Sequence, residues 1–281
     1  QSYHITANDA AQRLDKFLKK LFPNATRDLI YKLNRKEKVK IVLRDGKKTK
    51  QDNEYKLQVG EIVQVYLSDS EIASLQEEKV LSHLTQSQTP HNSPLVRGDG
   101  VAKLSKKDIV FEDGSLLLVN KSAGINVHPG DHKTTEVSLI QQVHDYLGEK
   151  LNSLTFKPSL VHRIDRDTSG LVMIAKQKDA LVAMSAAFQR KEALQKIYFA
   201  LVAGKLSRSE GTIKKALLRK EDAKNENKVI VSEKGQEAVT YYKVLEEFEI
   251  KIGEQTQMVS AIEVTIETGR MHQIRVHMAH I

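Results

Sequence analysis

Residues 160–171 hold the densest set of chemically capable side chains in this sequence. Two carboxylates, two guanidinium groups, an imidazole and two hydroxyls lie here between two apolar segments. A carboxylate flanked by arginines at the end of a strand is favoured in its ionised form and is held in place. Nucleophilic or proton-transfer chemistry requires an ionised and oriented carboxylate of this kind.

The two carboxylates, Asp165 and Asp167, differ in their surroundings. The sequence Asp167-Thr168-Ser169-Gly170 is typical of a turn, which favours a structural role for Asp167. For Asp165 the residues alone leave two interpretations open. It is either a catalytic group or a member of a structural Asp–Arg network.

A second set of polar side chains lies at residues 268–277, after a predicted strand and at the start of a predicted helix. Gly269 permits a tight turn. Arg270 and Arg275 carry planar donors that bind carboxylate or phosphate groups in bidentate fashion. This segment is therefore a candidate anion-binding site.

Metal binding is the alternative for the same region, because His272, His277 and His280 are close in sequence. It is disfavoured because residues five apart do not share one helical face. The sequence also has no His-Glu-x-x-His pattern.

Two further segments are ambiguous when taken singly. Residues 120–130 predict a rigid loop, and Tyr198 at a strand start is most simply an ordinary strand aromatic.

Composition narrows the class of protein. The chain has 281 residues and no cysteine, which excludes disulfides and thiolate metal sites. No apolar run approaches the ~20 residues of a membrane span, and no signal peptide is evident. We therefore expect a soluble, cytoplasmic protein without a membrane partner. Because the chain begins at Gln1 rather than Met, we expect that this is not the start of the gene.

Positive charge is concentrated near the start of the chain. The net charge is +8, and residues 27–50 alone contain ten basic and three acidic residues. Such a concentration suits a polyanion, because each phosphate contact releases counterions. A solvated lysine-rich face is the alternative.

The first part of the chain predicts a small module of two helices and several strands. Leu14, Phe17, Leu18 and Leu21 have helical spacing and predict a helix over residues 9–21. Thr26 is expected to cap a second helix. Alternating apolar residues predict strands at 39–43 and 63–67. We expect this domain at residues 1–67, followed by a linker at 68–105 whose polar stretch at 86–94 lets the module move independently.

The rest of the chain, residues 106–281, predicts a second domain in which strands predominate. Apolar runs indicate strands at 116–119, 171–175, 197–203, 239–244 and 259–266, and a helix begins near Asp179. The first of these strands follows a predicted turn at Asp113-Gly114. Few helices are long enough for repeated βαβ crossovers. The expected fold class is therefore α+β, with a mixed, mainly antiparallel sheet and flanking helices.

The first module resembles the S4 RNA-binding domain. The matching features are RLDKFL at residues 13–18, TRDLI at 26–30 and VGEIV at 59–63. The second domain is similar to the RluA-type pseudouridine synthases, through RIDRDTSGL at 163–171, KSAGINVHPG at 121–130, Lys196 with Tyr198, and GRMHQIRVH at 269–277. The similarity covers residues 109–281, and its last strands are expected to be missing from this chain.

The second resemblance implies roles for individual residues. Asp165 corresponds to the catalytic aspartate, and Tyr198 to the catalytic tyrosine that stacks on the target base and assists proton removal at its C5. Arg270 corresponds to the basic partner of the aspartate, with Arg275 as the alternative. Ile274 corresponds to the aliphatic residue beneath the base, and Arg163 to a residue that fills the gap left by the extruded nucleotide. We expect further substrate contacts from His272 and Arg275 and, in the first module, from Arg27, Lys32 and Arg35.

The resemblance also implies a substrate. Relatives with an S4 domain joined by a linker usually modify large-subunit ribosomal RNA, and they need no metal or other cofactor. Three alternatives remain: a non-catalytic RNA-binding factor for ribosome assembly, a pseudouridine synthase that acts on tRNA, and a nucleoside hydrolase, which also uses a carboxylate beside an oxocarbenium-like centre.

Overall fold

A computed structural model describes residues 1–76, 104–129, 137–148, 153–190, 194–221 and 227–281. The chain divides into two compact units, Gln1–Ser185 and Ala186–Ile281. The first unit contains a set of elements over residues 1–76, which we call the N-terminal module, and a second sheet with its helices. The second unit contains a four-stranded sheet, a hairpin and a short helix.

The N-terminal module combines three helices with one antiparallel sheet in the order β1-β4-β2-β3. Leu14, Phe17 and Leu18 are fully buried in its core, as their helical spacing predicts. Its elements are β1 Ser2–His4, α1 Leu14–Leu21, α2 Arg27–Arg35, β2 Val39–Val42, β3 Lys48–Thr49, β4 Ile62–Val65 and α3 Asp69–Gln76.

Helix α1 is shorter than the sequence predicts. The predicted span of 9–21 is wrong at its start, because the residues before Leu14 form turns and Ala11 has a φ of 58°. The N–H of Leu14 bonds the carbonyl of Tyr55 at 2.8 Å, and the N–H of Asp15 bonds that of Asn53 at 3.0 Å. A distant loop therefore satisfies the N–H groups that open the helix, so no earlier helical turn is required.

The start of helix α2 agrees with its prediction. The hydroxyl of Thr26 accepts a hydrogen bond from the N–H of Leu29 at 3.2 Å. This is the geometry expected of an N-cap residue.

The segment predicted as a linker from residue 68 is helical over Asp69–Gln76, and Ile72 is only 2% exposed in the core of the module. The predicted linker therefore begins too early. Its polar stretch, 86–94, lies outside the described residues.

The remainder of the first unit is built around an antiparallel sheet in the order β5-β6-β8-β7. The carboxylate of Asp113 accepts bonds from the N–H groups of Ser115 and Leu116, both at 2.7 Å. These bonds form the predicted Asp-Gly turn before β6. The elements are a 3-10 helix at Lys106–Asp108, β5 Ile109–Glu112, β6 Leu116–Lys121, α4 Leu139–Leu147, β7 Ser159–Leu160, β8 Gly170–Ala175 and α5 Lys178–Gln189, which continues into the second unit.

The second unit has a sheet in the order β10-β13-β14-β9 and a separate hairpin of β11 and β12. Ile262, Val264 and Ile266 are buried on one side of β14, as their alternation predicts. The elements are β9 Lys196–Ala203, β10 Glu210–Lys214, β11 Leu217–Glu221, β12 Asn227–Val231, β13 Val239–Ile252, β14 Gln255–Ile266 and α6 Gln273–Met278.

The sheets agree with the expected strand direction. Every strand pair in the described ranges is antiparallel. The strands of residues 106–281 are, however, divided between two four-stranded sheets and a hairpin within the described ranges, whereas the sequence predicted one sheet.

Candidate active site

Asp165 lies in the loop between strands β7 and β8, which pair antiparallel. The N–H of Thr168 bonds the carbonyl of Asp165 at 3.2 Å. This bond closes a turn with Arg166 and Asp167 at its centre. Gly170 has a φ of 128°, a value that residues with a side chain rarely adopt. The turn that the sequence predicts is therefore present, and it leaves Asp165 partly buried at the tip of the hairpin.

The loop residues before Asp165 are held to strand β8. The N–H of Val161 bonds the carbonyl of Met173 at 2.9 Å, and the ring Nε2 of His162 accepts the N–H of Met173 at 3.1 Å. Ile164 is buried, whereas Arg163 is exposed. Arg163 is thus accessible to a substrate, as its predicted role requires.

A buried lysine joins two loops at this site. Lys121, the last residue of β6, is 1% exposed. Its ammonium group donates to the carbonyls of Ser122 at 2.8 Å, Ile125 at 2.9 Å and Arg166 at 2.8 Å. All three of its N–H donors therefore have backbone partners. One of these partners lies directly next to Asp165.

The charge of Lys121 is set by its surroundings. Burial lowers the pKa of the Lys121 ammonium, and the negative charges of Asp167 and Asp165 oppose this shift.

Arg166 and Gly124 form a second link between the two loops. The guanidinium Nε of Arg166 donates to the carbonyl of Gly124 at 3.2 Å, while the N–H of Gly124 bonds the carbonyl of Arg166 at 2.9 Å. The predicted rigid loop therefore supports the loop of Asp165.

Tyr198 and Ile274 belong to the second unit and pack against the same apolar cluster. Tyr198 lies on strand β9 opposite Val264 of β14, and its side chain is partly buried. Ile274 lies on helix α6. The two residues predicted to enclose the target base therefore border the same apolar cluster, and their contact with the base stays a prediction.

Arg270 is exposed, and its backbone is fixed by Gln273, which is 3% exposed. The amide oxygen of Gln273 accepts from the N–H of Arg270 at 3.0 Å and from the hydroxyl of Thr268 at 2.8 Å. Its amide nitrogen donates to the carbonyl of Val239 and the hydroxyl of Thr240, both at 3.0 Å. Gln273 therefore positions the turn that carries Arg270, a role that sequence reasoning missed.

The side chain of Arg270 donates through Nε to the carbonyl of Glu237 at 3.1 Å. His272 has a φ of 53° and precedes helix α6, and Arg275 is exposed on that helix. A left-handed conformation at a residue other than glycine is strained and is common at functional sites. Asp165 belongs to the first unit, whereas Arg270 and Arg275 belong to the second. The pairing of Asp165 with one of these arginines therefore stays a prediction.

His277, one of the histidines considered for metal binding, has two protein partners. Its Nδ1 lies 2.9 Å from the hydroxyl of Thr240, and its Nε2 lies 2.9 Å from the carbonyl of Lys215. Across the described ranges, no group of three metal-ligating residues is assembled. The ring of His277 instead joins helix α6 to strand β13.

We expect the stability of the protein to depend on His277 at mildly acidic pH. Burial lowers the pKa of this histidine, with a hydrogen bond to Lys215 acting against the shift. Below the ordinary histidine pKa of about 6.5, the unfolded chain binds a proton that the folded chain does not. The midpoint of urea unfolding should therefore fall as pH falls from about 7 to about 5. The variant His277→Gln should show a smaller decrease. An equal pH dependence in both proteins would contradict this role.

The three basic residues predicted to bind RNA in the N-terminal module, Arg27, Lys32 and Arg35, are all exposed on helix α2. The guanidinium of Arg27 lies 5.6 Å from the centre of the Tyr31 ring, which is a cation–π contact. Lys32 and Arg35 line a groove between α2 and residues 50–53. This part of the module offers positive charge to a polyanion.

Comparison with known proteins identifies the class of protein. A family model described as RNA pseudouridylate synthase matches residues 115–280. The chain is 33% identical over 277 residues to ribosomal large subunit pseudouridine synthase C of Buchnera aphidicola subsp. Schizaphis graminum, covering 99% of this chain and 76% of that protein. It is 31% identical over 276 residues to the Escherichia coli protein of the same name, covering 97% and 74%.

The chain therefore belongs to the RNA pseudouridylate synthase family, and its class of reaction is isomerisation. The structure of human RNA Pseudouridylate Synthase Domain Containing 1 aligns with a TM-score of 0.51 and 25% identity, covering 66% of this chain and 68% of that chain. Across the described part of the chain, no helix is both long and apolar enough to cross a bilayer.

Proposed function

We propose that this protein isomerises uridines of large-subunit ribosomal RNA to pseudouridine in the cytoplasm and that Asp165 performs the chemistry. The observation that carries the proposal is the placement of Asp165 at the tip of a hairpin whose loop is fixed by Lys121. The names of the relatives that align with nearly all of this chain support ribosomal RNA as the substrate. An isomerisation within one nucleotide needs neither a redox cofactor nor a metal.

The reaction breaks the bond between N1 of uracil and C1′ of ribose, rotates the base and joins C5 to C1′. Asp165 acts either as a nucleophile at C1′ or as a base that removes the 2′ proton to give a glycal. Both routes require an ionised carboxylate with a fixed position. When C5 joins C1′, the first route breaks the ester bond between Asp165 and C1′, and the second returns the proton to C2′. The proton on C5 then leaves with the assistance of Tyr198, and N1 takes up a proton in place of its lost bond to C1′, so the product has the same composition as uridine.

The target base must leave its stack before it can rotate, which costs roughly a few kcal/mol. Stacking on an aromatic side chain returns about 1–3 kcal/mol, and Tyr198 is the aromatic residue proposed for this contact. Ile274 packs on the same cluster as Tyr198 and supports the base from below. The exposed Arg163 fills the gap in the RNA, and His272 and one of Arg270 and Arg275 complete the binding site.

The N-terminal module is proposed to act as an S4-type domain that anchors the RNA. Its consecutive helices α1 and α2, the Thr26 cap and the exposed basic residues of helix α2 support this assignment. Phosphate contacts of this kind give affinity that depends on salt and not on sequence. The module would supply binding energy, and the hairpin of Asp165 would supply the chemistry.

The anchoring role predicts a change in salt dependence when the basic residues of α2 are neutralised. In the variant Arg27→Gln, Lys32→Gln, Arg35→Gln, we expect the slope of log affinity against log salt to decrease by about 0.7–0.9 for each lost phosphate contact. Filter binding with a fragment of large-subunit ribosomal RNA measures this slope. A matched variant that neutralises the exposed Lys106, Lys107 and Lys251 should keep it. An unchanged slope in the α2 variant would refute the anchoring role.

A further inference from the structure

A buried carboxylate joins the N-terminal module to the segment that leads into the Asp165 hairpin. Asp9 is 0% exposed. Its Oδ1 accepts hydrogen bonds from the hydroxyl of Ser153 at 3.0 Å, and from the N–H and the hydroxyl of Thr155 at 3.0 Å and 2.8 Å. Its Oδ2 accepts from the hydroxyl of Thr6 at 2.6 Å. Three of these four donors come from a segment 144 to 146 residues away along the chain.

Neighbouring residues extend this contact. The amide nitrogen of Gln12 donates to the hydroxyl of Thr155 at 2.7 Å. The backbone N–H of Lys178 donates to the amide oxygen of Asn8 at 3.0 Å, and its ammonium group donates to the carbonyl of Ala10 at 2.6 Å. We call the part of the module formed by Asn8, Asp9, Ala10 and Gln12 the docking surface.

The docking surface lies at the base of the hairpin that carries Asp165. Thr155 lies shortly before strand β7, and Lys178, the first residue of helix α5, lies shortly after strand β8. The loop with Asp165 is at the opposite end of these strands, about 15–20 Å away for a rise of about 3.3 Å per residue. The module therefore contacts both chain segments that define the orientation of the hairpin.

The chemistry of Asp9 favours one docked arrangement over many. A buried carboxylate without hydrogen-bond donors is strongly unfavourable. Within the module only the Thr6 hydroxyl donates to its side chain among the bonds described, so the remaining donors depend on docking. If the module shifted or rotated against this segment, then the Oδ1 of Asp9 would lose its hydrogen bonds from Ser153 and Thr155. The carboxylate would then be buried without these donors. Polar groups that are satisfied in a single geometry specify that geometry.

We propose that Asp9 and Thr155 are positioning residues that hold the basic face of helix α2 at a fixed distance from Asp165. Target choice then depends on the separation between the anchored part of the RNA and the modified uridine. This proposal rests on the proposed RNA-anchoring function of the module. It also replaces the expectation from sequence that the module moves independently.

Kinetics with two substrates test the proposal. The variant Thr155→Val removes the hydroxyl but keeps the shape of the side chain, and it changes no residue of the module or of the active site. We expect kcat/KM on a long ribosomal RNA fragment that reaches both the module and Asp165 to fall roughly tenfold, the scale of one lost hydrogen bond to a charged group. With a minimal stem-loop that reaches only the active site, kcat/KM should stay within about twofold. The exposed Thr256→Val is the matched control and should behave like the unmodified protein.

A distance measurement provides a second readout. Because the chain has no cysteine, spin labels can be placed at Lys20→Cys on α1 and Asp179→Cys on α5, both exposed. We expect one narrow distance distribution in the otherwise unmodified protein and a broad one after Thr155→Val or Asp9→Asn. The two substitutions combined should cause less loss on the long RNA than the product of their separate effects, because they remove the same contact.

The outcomes separate this proposal from the proposed function. A broad distribution before any docking substitution, or equal losses on both RNAs, would overturn fixed positioning. So would unchanged discrimination between the RNAs in Thr155→Val. If the α2 variant with neutralised Arg27, Lys32 and Arg35 also kept its salt slope, then the anchoring function itself would fail. If that slope fell while Thr155→Val had no effect, then anchoring would stand and positioning alone would be wrong.

Discussion

Asp165→Asn should reduce the rate of pseudouridine formation by at least about 10³-fold, the scale expected for the loss of a catalytic nucleophile or base. The amide has nearly the same shape as the carboxylate, but it neither attacks C1′ nor accepts the 2′ proton at neutral pH. Affinity for RNA should change by no more than about threefold, because the phosphate contacts are elsewhere. Single-turnover assays with saturating enzyme measure the chemical step apart from binding.

Asp167→Asn is the matched control, since it makes the same change two residues away. Asp167 is exposed and lies at the centre of the turn that follows Asp165. Its substitution should slow the reaction by only about a few-fold, because asparagine is favoured in the same kind of turn and keeps its shape. If Asp165→Asn kept substantial activity, or if Asp167→Asn were the inactive variant, then the assignment of the catalytic residue would be wrong.

Lys121→Met should have the second largest effect. The substitution keeps much of the side-chain volume but removes the donors that bond Ser122, Ile125 and Arg166. We expect a loss of stability on the order of 3 kcal/mol, because several carbonyls lose their partner. The loop of Asp165 should also shift. A displacement of about 1 Å at a catalytic group lowers kcat by about 10²-fold.

Separate measurements of stability and activity distinguish these two effects. Urea unfolding gives the free energy of unfolding. The kcat is measured at urea concentrations well below the unfolding midpoint, where the variant is fully folded. Lys107→Met is the matched control, because Lys107 is exposed in the 3-10 helix. A folded Lys121→Met protein with unchanged kcat would show that Lys121 supports the fold but not the position of Asp165.

The elements that sequence predicted well are those fixed by neighbouring residues. The cap of α2 at Thr26 and the turn at Asp113 each depend on bonds that span about three residues. The buried side of β14 at Ile262, Val264 and Ile266 follows from strand periodicity. Local chemistry is sufficient for these features, so the sequence alone contains the required information.

The features that sequence missed depend on contacts between distant residues. Lys121 bonds a carbonyl 45 residues away, Gln273 bonds a hydroxyl 33 residues away, and Asp9 bonds a hydroxyl 146 residues away. Helix α1 starts late for the same reason, because the loop at residues 53–55 satisfies its first N–H groups. The one sequence signal that marks Lys121 in advance is a lysine at the end of an apolar strand. A charged group buried at such a position requires hydrogen-bond partners.

The most direct test of the central claim is a nucleoside balance on large-subunit ribosomal RNA incubated with this protein. Digestion to nucleosides and chromatography with mass detection would report uridine, pseudouridine and free uracil in one experiment. The proposed function predicts that pseudouridine appears as uridine is lost, with no change in RNA mass and no free uracil, and that Asp165→Asn gives none. Release of uracil would indicate a hydrolase instead. RNA binding without any pseudouridine would indicate a non-catalytic factor, and either result would contradict the proposal.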